Sequence, residues 1–241
     1  MEGMIFAAGL GTRLRPLTND RPKAMVELAG KPLLEHVILK MRQAGIGRIV
    51  VNVHHFADQI EDFLNKHHYT NQDIVVSDER GELLDTGGGL WKARSLFTSG
   101  ESVLIHNVDI LSDIHLNQVT QWHREHGDYA TLVMRDSTPG RGLRFNDQGL
   151  LKGWENDMTG EQKVVDEGFK EAQNYSFCGV HIVSARFLQN MVYQGCFSII
   201  DEYLAQARFH PVKMFYYPGF FMDLGTPEAI AEAEILSTPV R

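Results

Sequence analysis

Residues 3–16, GMIFAAGLGTRLRP, run from a short apolar stretch straight into two glycines and two arginines, in a chain whose formal net charge is −8. An apolar run of this length that stops at glycine reads as a buried strand, and the residues beyond it as a loop at the strand's carboxyl end. Further along, KPLLEHVILKMRQAG (31–45) has Leu34, Val37, Ile38 and Met41 at helical spacing, with Pro32 in its first turn and Gly45 past its end. RIVVNV (48–53) is a second buried strand. An amphipathic segment through Ile60, Phe63 and Leu64 follows, then a third strand at DIVVS (73–77). The β-α-β-α-β alternation predicts a parallel sheet covered by helices. It continues with a helix around GGLWKARSLF (88–97), a strand at SVLIHNVD (102–109), a helix near 115–126 and a strand at YATLVM (129–134).

After residue 137 the pattern becomes richer in β structure. LRFNDQGLLKGW (143–154) has the turn residues of a hairpin, SFCGVHIVS (176–184) and VKMFYYP (212–218) read as extended, and SIIDEYLAQAR (198–208) as helical. In TPEAIAEAEIL (226–236), Thr226 is placed to cap a helix with Pro227 at its first position. The expected fold class is α/β: one domain over residues 1–241, with a mostly parallel sheet between helices in its first half and a small β-rich insertion after it. The change of pattern divides that domain into residues 1–136 and 137–241.

With 43% hydrophobic residues in 241, the chain has enough apolar mass for a full core. Its acidity disfavours nucleic acid and anionic membranes as partners, since both call for a broad basic surface. No apolar run approaches the roughly 18 residues that cross a bilayer, and no basic leader with a cleavage site opens the sequence. Cys178 and Cys196 have no metal-type spacing. A soluble, unprocessed, cytoplasmic protein is expected, monomeric or a small homo-oligomer.

In open parallel sheets, ligands bind beyond the carboxyl ends of the strands. Gly9 and Gly11 lie at the first such end, followed by Arg13, Arg15 and, in RPKAM, Lys23. A glycine turn surrounded by cations suits a phosphate, because the cations repel one another without an anion between them. Two familiar phosphate motifs are absent: Leu14 stands where the dinucleotide fingerprint needs its third glycine, and Gly30-Lys31-Pro32 lacks the Ser or Thr of a P-loop. Asp109 and Asp223 each close an apolar run. Singly each could be a cap or a surface turn, but beside a phosphate loop two carboxylates suit Mg²⁺, which takes oxygen ligands together with substrate phosphates. The paired histidines at 54–55 and 67–68 and the HREH at 123–126 offer no third ligand at zinc spacing. Ser198 and the cysteines lack the partner pattern of a covalent nucleophile.

GLGTRLRPLT (9–18) followed by RPKAMVELAGKPLL (21–34), with LLDTGGGL (83–90), NVDIL (107–111) and FMDLGTPEAI (221–230), resembles the sugar-phosphate nucleotidylyltransferases over nearly the whole chain. The resemblance implies that Ala8, Gly9, Gly11, Thr12 and Arg13 hold nucleotide phosphates, with Arg13 and Lys23 catalytic. It also implies that Glu79, Asp85, Thr86 and Gly87 line the nucleobase, that Asp109 and Asp223 hold Mg²⁺, and that Gly142, Glu155, Asn174 and Gly179 contact the sugar, on a Rossmann-like mixed, mostly parallel sheet whose residues 1–136 are the nucleotide-binding half and 137–241 the half with the sugar-binding insertion and the second metal ligand. Val108 replaces the family's usual glycine, and WENDM (154–158) its usual EKP element. Within the family the chain is most similar to the uridylyltransferases of N-acetylmuramate 1-phosphate and the guanylyltransferases of mannose 1-phosphate. The expected partners are a nucleoside triphosphate, UTP by preference, and a sugar 1-phosphate. The alternatives are GTP with a mannose or heptose phosphate, or a non-catalytic nucleotide-sensing subunit, against which the retained Lys23, Asp109 and Asp223 argue.

Overall fold

The computed structural model describes residues 1–69, 71, 73–126 and 129–237. The chain runs β1 (Glu2–Phe6), 3-10 turns at Thr12–Leu14 and Lys23–Met25, β2 (Glu27–Leu28), β3 (Lys31–Pro32), α1 (Leu33–Gln43), β4 (Ile49–Val53), α2 (Ala57–Lys66) and β5 (Ile74–Asp78). It continues through α3 (Asp85–Ala93), β6 (Val103–Asn107), β7 (Ile110–Ser112), α4 (Leu116–His126) and β8 (Ala130–Asp136). Next come β9 (Arg141–Phe145), β10 (Leu151–Asn156), β11 (Glu161–Val164), β12 (Gln173–Val183), α5 (Ala185–Gln189), α6 (Ile199–Ala207), β13 (Val212–Tyr216), β14 (Phe221–Asp223) and α7 (Pro227–Ser237). No helix among the described residues is long and apolar enough to cross a membrane.

The near-continuous apolar runs of β1, β4 and β6 are buried on both faces, as strands at the centre of a parallel sheet must be. β5, β4, β1 and β6 lie side by side and parallel. Chain order reverses at β1, whose neighbours are β4 on one side and β6 on the other, so a crevice opens beyond the ends of β1 and β6. The β-rich part expected after residue 137 extends this same sheet. β12 pairs antiparallel with β6 through Val180–Val183 and with β9 through Gln173–Tyr175, and β10 and β11 follow outward. One core, on the side of α1 and α2, contains Ile5, Leu34, Val51, Leu64 and Val180. The other contains Met4, Ile105, Leu143, Phe187 and Tyr203.

The glycine run at 87–89 lies in the first turns of α3, which begins a few residues before the helix expected around 88–97. Glycine is a poor helix former, but here the absence of Cβ lets α3 lie directly against the segment entering α6. The Gly87 and Gly88 N–H groups donate to the Phe197 carbonyl at 2.9 and 3.3 Å. A Cβ on Gly88 would collide with the Gly195 carbonyl oxygen. An exposed helical Gly→Ala change gains about 1 kcal/mol. Gly88→Ala is expected instead to lose about 1–3 kcal/mol through overpacking against backbone, read as a lower midpoint in urea; an unchanged or raised midpoint would refute this contact.

Candidate active site

The loop after β1 leaves the sheet with Ala7 and Ala8 buried, then turns at Gly11, whose φ of +63° belongs to the left-handed region that glycine enters freely. A Cβ on Gly11 would stand 3.1 Å from both Lys23 Cβ and Thr18 Cγ2, so the glycine also lets residues 18–23 fold back beneath the turn. The Thr18 hydroxyl donates to the Gly11 carbonyl at 2.8 Å and fixes that return. Gly9 does not carry this strain. It faces open space and lines a cavity.

The fold-back aims Lys23 across the crevice at the end of β6, where its ammonium forms an ion pair with Asp109. Both side chains are mostly buried, at 12% and 16% exposure, so solvent screens the pair less than it would a surface pair. Antiparallel pairing of β14 with β7 sets Asp223 opposite Ile110, and the Leu224 N–H donates to the Asp109 carbonyl at 2.8 Å. The two aspartates, 114 positions apart in sequence, are thereby neighbours. Partial burial and the Asp109 charge raise the Asp223 carboxyl above its ordinary range, against the pull of Lys23 and Arg13. The Arg13 guanidinium lies 3.8 Å from Asp223, with both side chains well exposed. Thr12 and Arg15 are exposed. Two of the loop's cations are thus countered by carboxylates of this chain, which the charge pattern alone did not reveal.

Beside this constellation lies a cavity of about 300 Å³ lined by Phe6, Ala8, Gly9, Asn52, Glu79, Leu83, Asp85, Thr86 and Cys196. Glu79 is fully buried. Asn52 donates to its Oε1 at 2.8 Å and accepts the Ala7 N–H at 2.7 Å, so one amide side chain ties the phosphate-loop backbone to the buried acid. His54 Nδ1 lies 2.7 Å from the Glu79 carbonyl. Glu79 Oε2 has no hydrogen-bond partner among the described residues, and burial raises this carboxyl, opposed by the Asn52 bond. Asp85 opens α3 at a φ of +56°, uncommon for a residue with a side chain. The Thr86 hydroxyl is committed to the Ile199 N–H at 3.0 Å. Gly87 needs correction as a lining residue: its N–H is spent on Phe197, whose ring fills the space beside it. Asn52 and Cys196 line the cavity without having been expected to. Asn52, polar in the middle of a β-strand otherwise built of aliphatic residues, was the available signal.

Gly142 lines a further cavity of about 370 Å³, with Arg141, Trp154, Phe177 and Ser198 among its walls. Glu155 and Asn174 are not in that wall. The register pairs Gly142 with Glu155 and Arg144 with Asn174, so the two expected side chains project from the opposite face. There Glu155 pairs with Arg144 at 3.1 Å, and Asn174 Oδ1 is buried without a partner. Gly179, at φ +66°, lies where a Cβ would come within 2.7 Å of Asn107 Nδ2, at the end of β6. Val108 is buried and donates its N–H to the Phe6 carbonyl at 3.2 Å.

The family model described as nucleotidyl transferase matches residues 2–142. The N-acetylmuramate alpha-1-phosphate uridylyltransferase of Caulobacter vibrioides is 34% identical over 238 residues, covering 96% of this chain and 94% of that protein. The mannose-1-phosphate guanyltransferase of Hypocrea jecorina is 26% identical over 230 residues, which is 95% of this chain but 62% of that protein. Among solved structures, HddC from Yersinia pseudotuberculosis complexed with GMP-PN superposes with a TM-score of 0.77 at 21% identity, covering 98% of this chain and 99% of that one. The chain belongs to the nucleotidyl transferase family. It is an enzyme of the class that joins nucleotides to sugar 1-phosphates.

The raised Glu79 carboxyl fixes a sign. A carboxyl whose folded value lies above its ordinary 4.5 costs stability once pH rises through the unfolded and then the folded value, because the folded state binds the proton more tightly. Glu79→Gln is therefore expected to gain stability relative to the parent as pH rises from about 4 to neutrality. Melting temperatures across that range check it, and a difference independent of pH would contradict the burial effect.

Proposed function

We propose that the protein transfers a uridylyl group from UTP to N-acetylmuramate 1-phosphate and releases pyrophosphate. The observation that carries the transferase chemistry is the set of four charges, Lys23 with Asp109 and Arg13 with Asp223, gathered where the sheet reverses order. The similarity to the Caulobacter protein along nearly both full lengths favours the uridylyl donor and the muramate acceptor. An acidic chain without a membrane-crossing helix among its described residues suits a cytoplasmic monomer or small homo-oligomer with no nucleic-acid partner.

In this reading an oxygen of the sugar phosphate attacks the α-phosphorus of the nucleotide in line, the new P–O bond forms as the bond to pyrophosphate breaks, and no general base is needed because the attacking oxygen is already anionic. The task left to the protein is positioning and charge stabilisation. Triphosphate and sugar phosphate together bring about six negative charges, a monoester alone carrying about −1.5 to −2. Arg13 and the backbone of residues 8–12 hold the triphosphate, and Lys23 exchanges Asp109 for a phosphate oxygen near the reacting centre. Magnesium fits the two carboxylates left facing each other, since partial burial and then the Asp109 charge raise Asp223, and a divalent cation offsets both the burial of charge and the repulsion. When bound, the ion would be held by Asp109 and Asp223 and would neutralise phosphate charge. Among the described residues no group of three or more His, Cys, Asp or Glu forms an alternative site.

A second reading, guanylyl transfer to a mannose or heptose phosphate, is favoured by Glu79. Its free Oε2 is an acceptor in the cavity assigned to the base. The guanine edge offers two adjacent donors, whereas uracil offers one between two carbonyls. Pyrophosphate release measured with UTP, GTP, CTP and dTTP against N-acetylmuramate, mannose and heptose 1-phosphates separates the two, and no release with any pair overturns both. Lys23→Gln is expected to lower turnover about 10²-fold or more while still unfolding cooperatively; retained turnover would remove the role given to Lys23. Chelation should abolish activity and added Mg²⁺ restore it. Activity that survives chelation would remove the metal from the reading.

A further inference from the structure

The cavity beside Gly142 has a composition that the transferase chemistry alone does not require. Register puts Arg141, Asn156 and Glu161 in one row across β9, β10 and β11, and Leu143, Trp154 and Lys163 in the next. Directly paired residues and residues two apart project from the same face of a sheet, so both rows face α6. Lys163 is consumed there: its ammonium lies 2.7 Å from Asp201 and 5.4 Å from the Trp154 ring. Arg141 makes no ion pair among the described residues. Glu161, the carboxylate in its row two strands away, is not paired with it.

The base of Arg141 is anchored even though its guanidinium is free. The preceding Gly140 donates its N–H to Asp157 Oδ1 at 2.6 Å and accepts the Asp157 N–H at 3.1 Å, so the strand entry is clamped on both sides. The cavity also adjoins the one lined by Glu79. Cys196 borders one and Ser198 the other, while Phe177 stacks edge-on at 5.3 Å against His181, itself 6.0 Å from Phe6. An acceptor lying against Trp154 and Phe177 next to the nucleotide would therefore have an unpaired, positioned guanidinium at its edge. Arginine's planar fork matches a carboxylate in two parallel hydrogen bonds.

Resting on the proposed sugar-phosphate acceptor, we infer that Arg141 is a specificity-determining residue that selects a sugar 1-phosphate bearing a carboxylate over its neutral counterpart. N-Acetylmuramate 1-phosphate and N-acetylglucosamine 1-phosphate are the matching probes, because they share a ring and differ by a lactyl ether against a hydroxyl. With UTP as donor and pyrophosphate release as readout, the parent enzyme is expected to prefer the muramate. Arg141→Gln should cut its kcat/KM for the muramate about tenfold or more, mainly through KM, and collapse the ratio between the two acceptors; Arg141→Lys should recover part of it. A ratio unchanged in Arg141→Gln, or a parallel loss on both acceptors, overturns the inference. Amidating the muramate carboxyl tests the same contact on the unaltered enzyme: KM should rise comparably, and an equal KM for acid and amide overturns it. A parent enzyme that ignores both probes but uses a neutral sugar 1-phosphate overturns carboxylate selection and leaves the transferase reading standing. Inactivity with every acceptor and nucleotide overturns both.

Discussion

The ion pair between Lys23 and Asp109 joins the two strands between which the sheet changes direction. One partner hangs from the loop after β1, the other from the end of β6, and neither strand could present its charge there alone. Breaking a mostly buried pair by removing one member leaves an uncompensated charge, so the loop's return path under Gly11 and the carboxylate end of β6 hold each other in place. The pair also keeps the crevice close to electrically neutral, with Arg13 and Asp223 forming a looser second couple. Under the proposed chemistry, a polyanion and a divalent cation arriving together would exchange these internal pairs for external ones, an ordered swap of partners rather than the filling of a purely positive hole.

A second constraint runs through Asn52. Its amide has one end on the phosphate-loop backbone and the other on Glu79, linking the loop after β1 to the end of β5 across β4. The acid it holds is buried, raised by that burial and left with a free oxygen. Such a group costs stability, and a fold tolerates it where a ligand can use it. Conversely, the glycines of α3 forgo helix propensity so that the helix can lie on the segment entering α6, which separates the two cavities. The buried acid lowers the stability of the chain, the close helix contact does not, and both shape the space that a nucleotide and its acceptor would share.

Much of the architecture was legible because periodicity reports burial directly. The strands at 2–6, 49–53 and 103–107 are apolar runs buried largely on both sides, the half-buried strand at 74–78 lies at the sheet's edge, and α1 shows its inner face in Leu34, Val37, Ile38 and Met41. The loop cations and the two aspartates were legible as types of residue at strand ends. Their pairing was not, since nothing local to Asp223 announces that β14 will lie beside β7. The helix at 88–97 was legible, but the reason for its glycines was not, since the contact that explains them comes from residues 195–197, more than a hundred positions later. Asn52 was visible as a lone amide in an aliphatic strand, but its partners at Ala7 and Glu79 are tertiary.

The acceptor side shows why motif matching fails soonest in an antiparallel extension. A side chain changes face with every residue, so an assignment that is one position out in register moves from the cavity to the opposite surface. Gly142 keeps its place in the wall, having no side chain to misdirect. Glu155 and Asn174 do not, and the residues that replace them at the cavity, Trp154 and Phe177, are large and aromatic where the expected ones were polar. That exchange shifts the burden of recognition. Aromatic walls hold a sugar ring by its apolar face and discriminate weakly among hydroxyl patterns, so a charged group at the rim is left to decide which acceptor is taken. Among the described residues of this face, Arg141 and Glu161 are charged without an ion pair, and of the two the cation sits on the strand that carries Gly142.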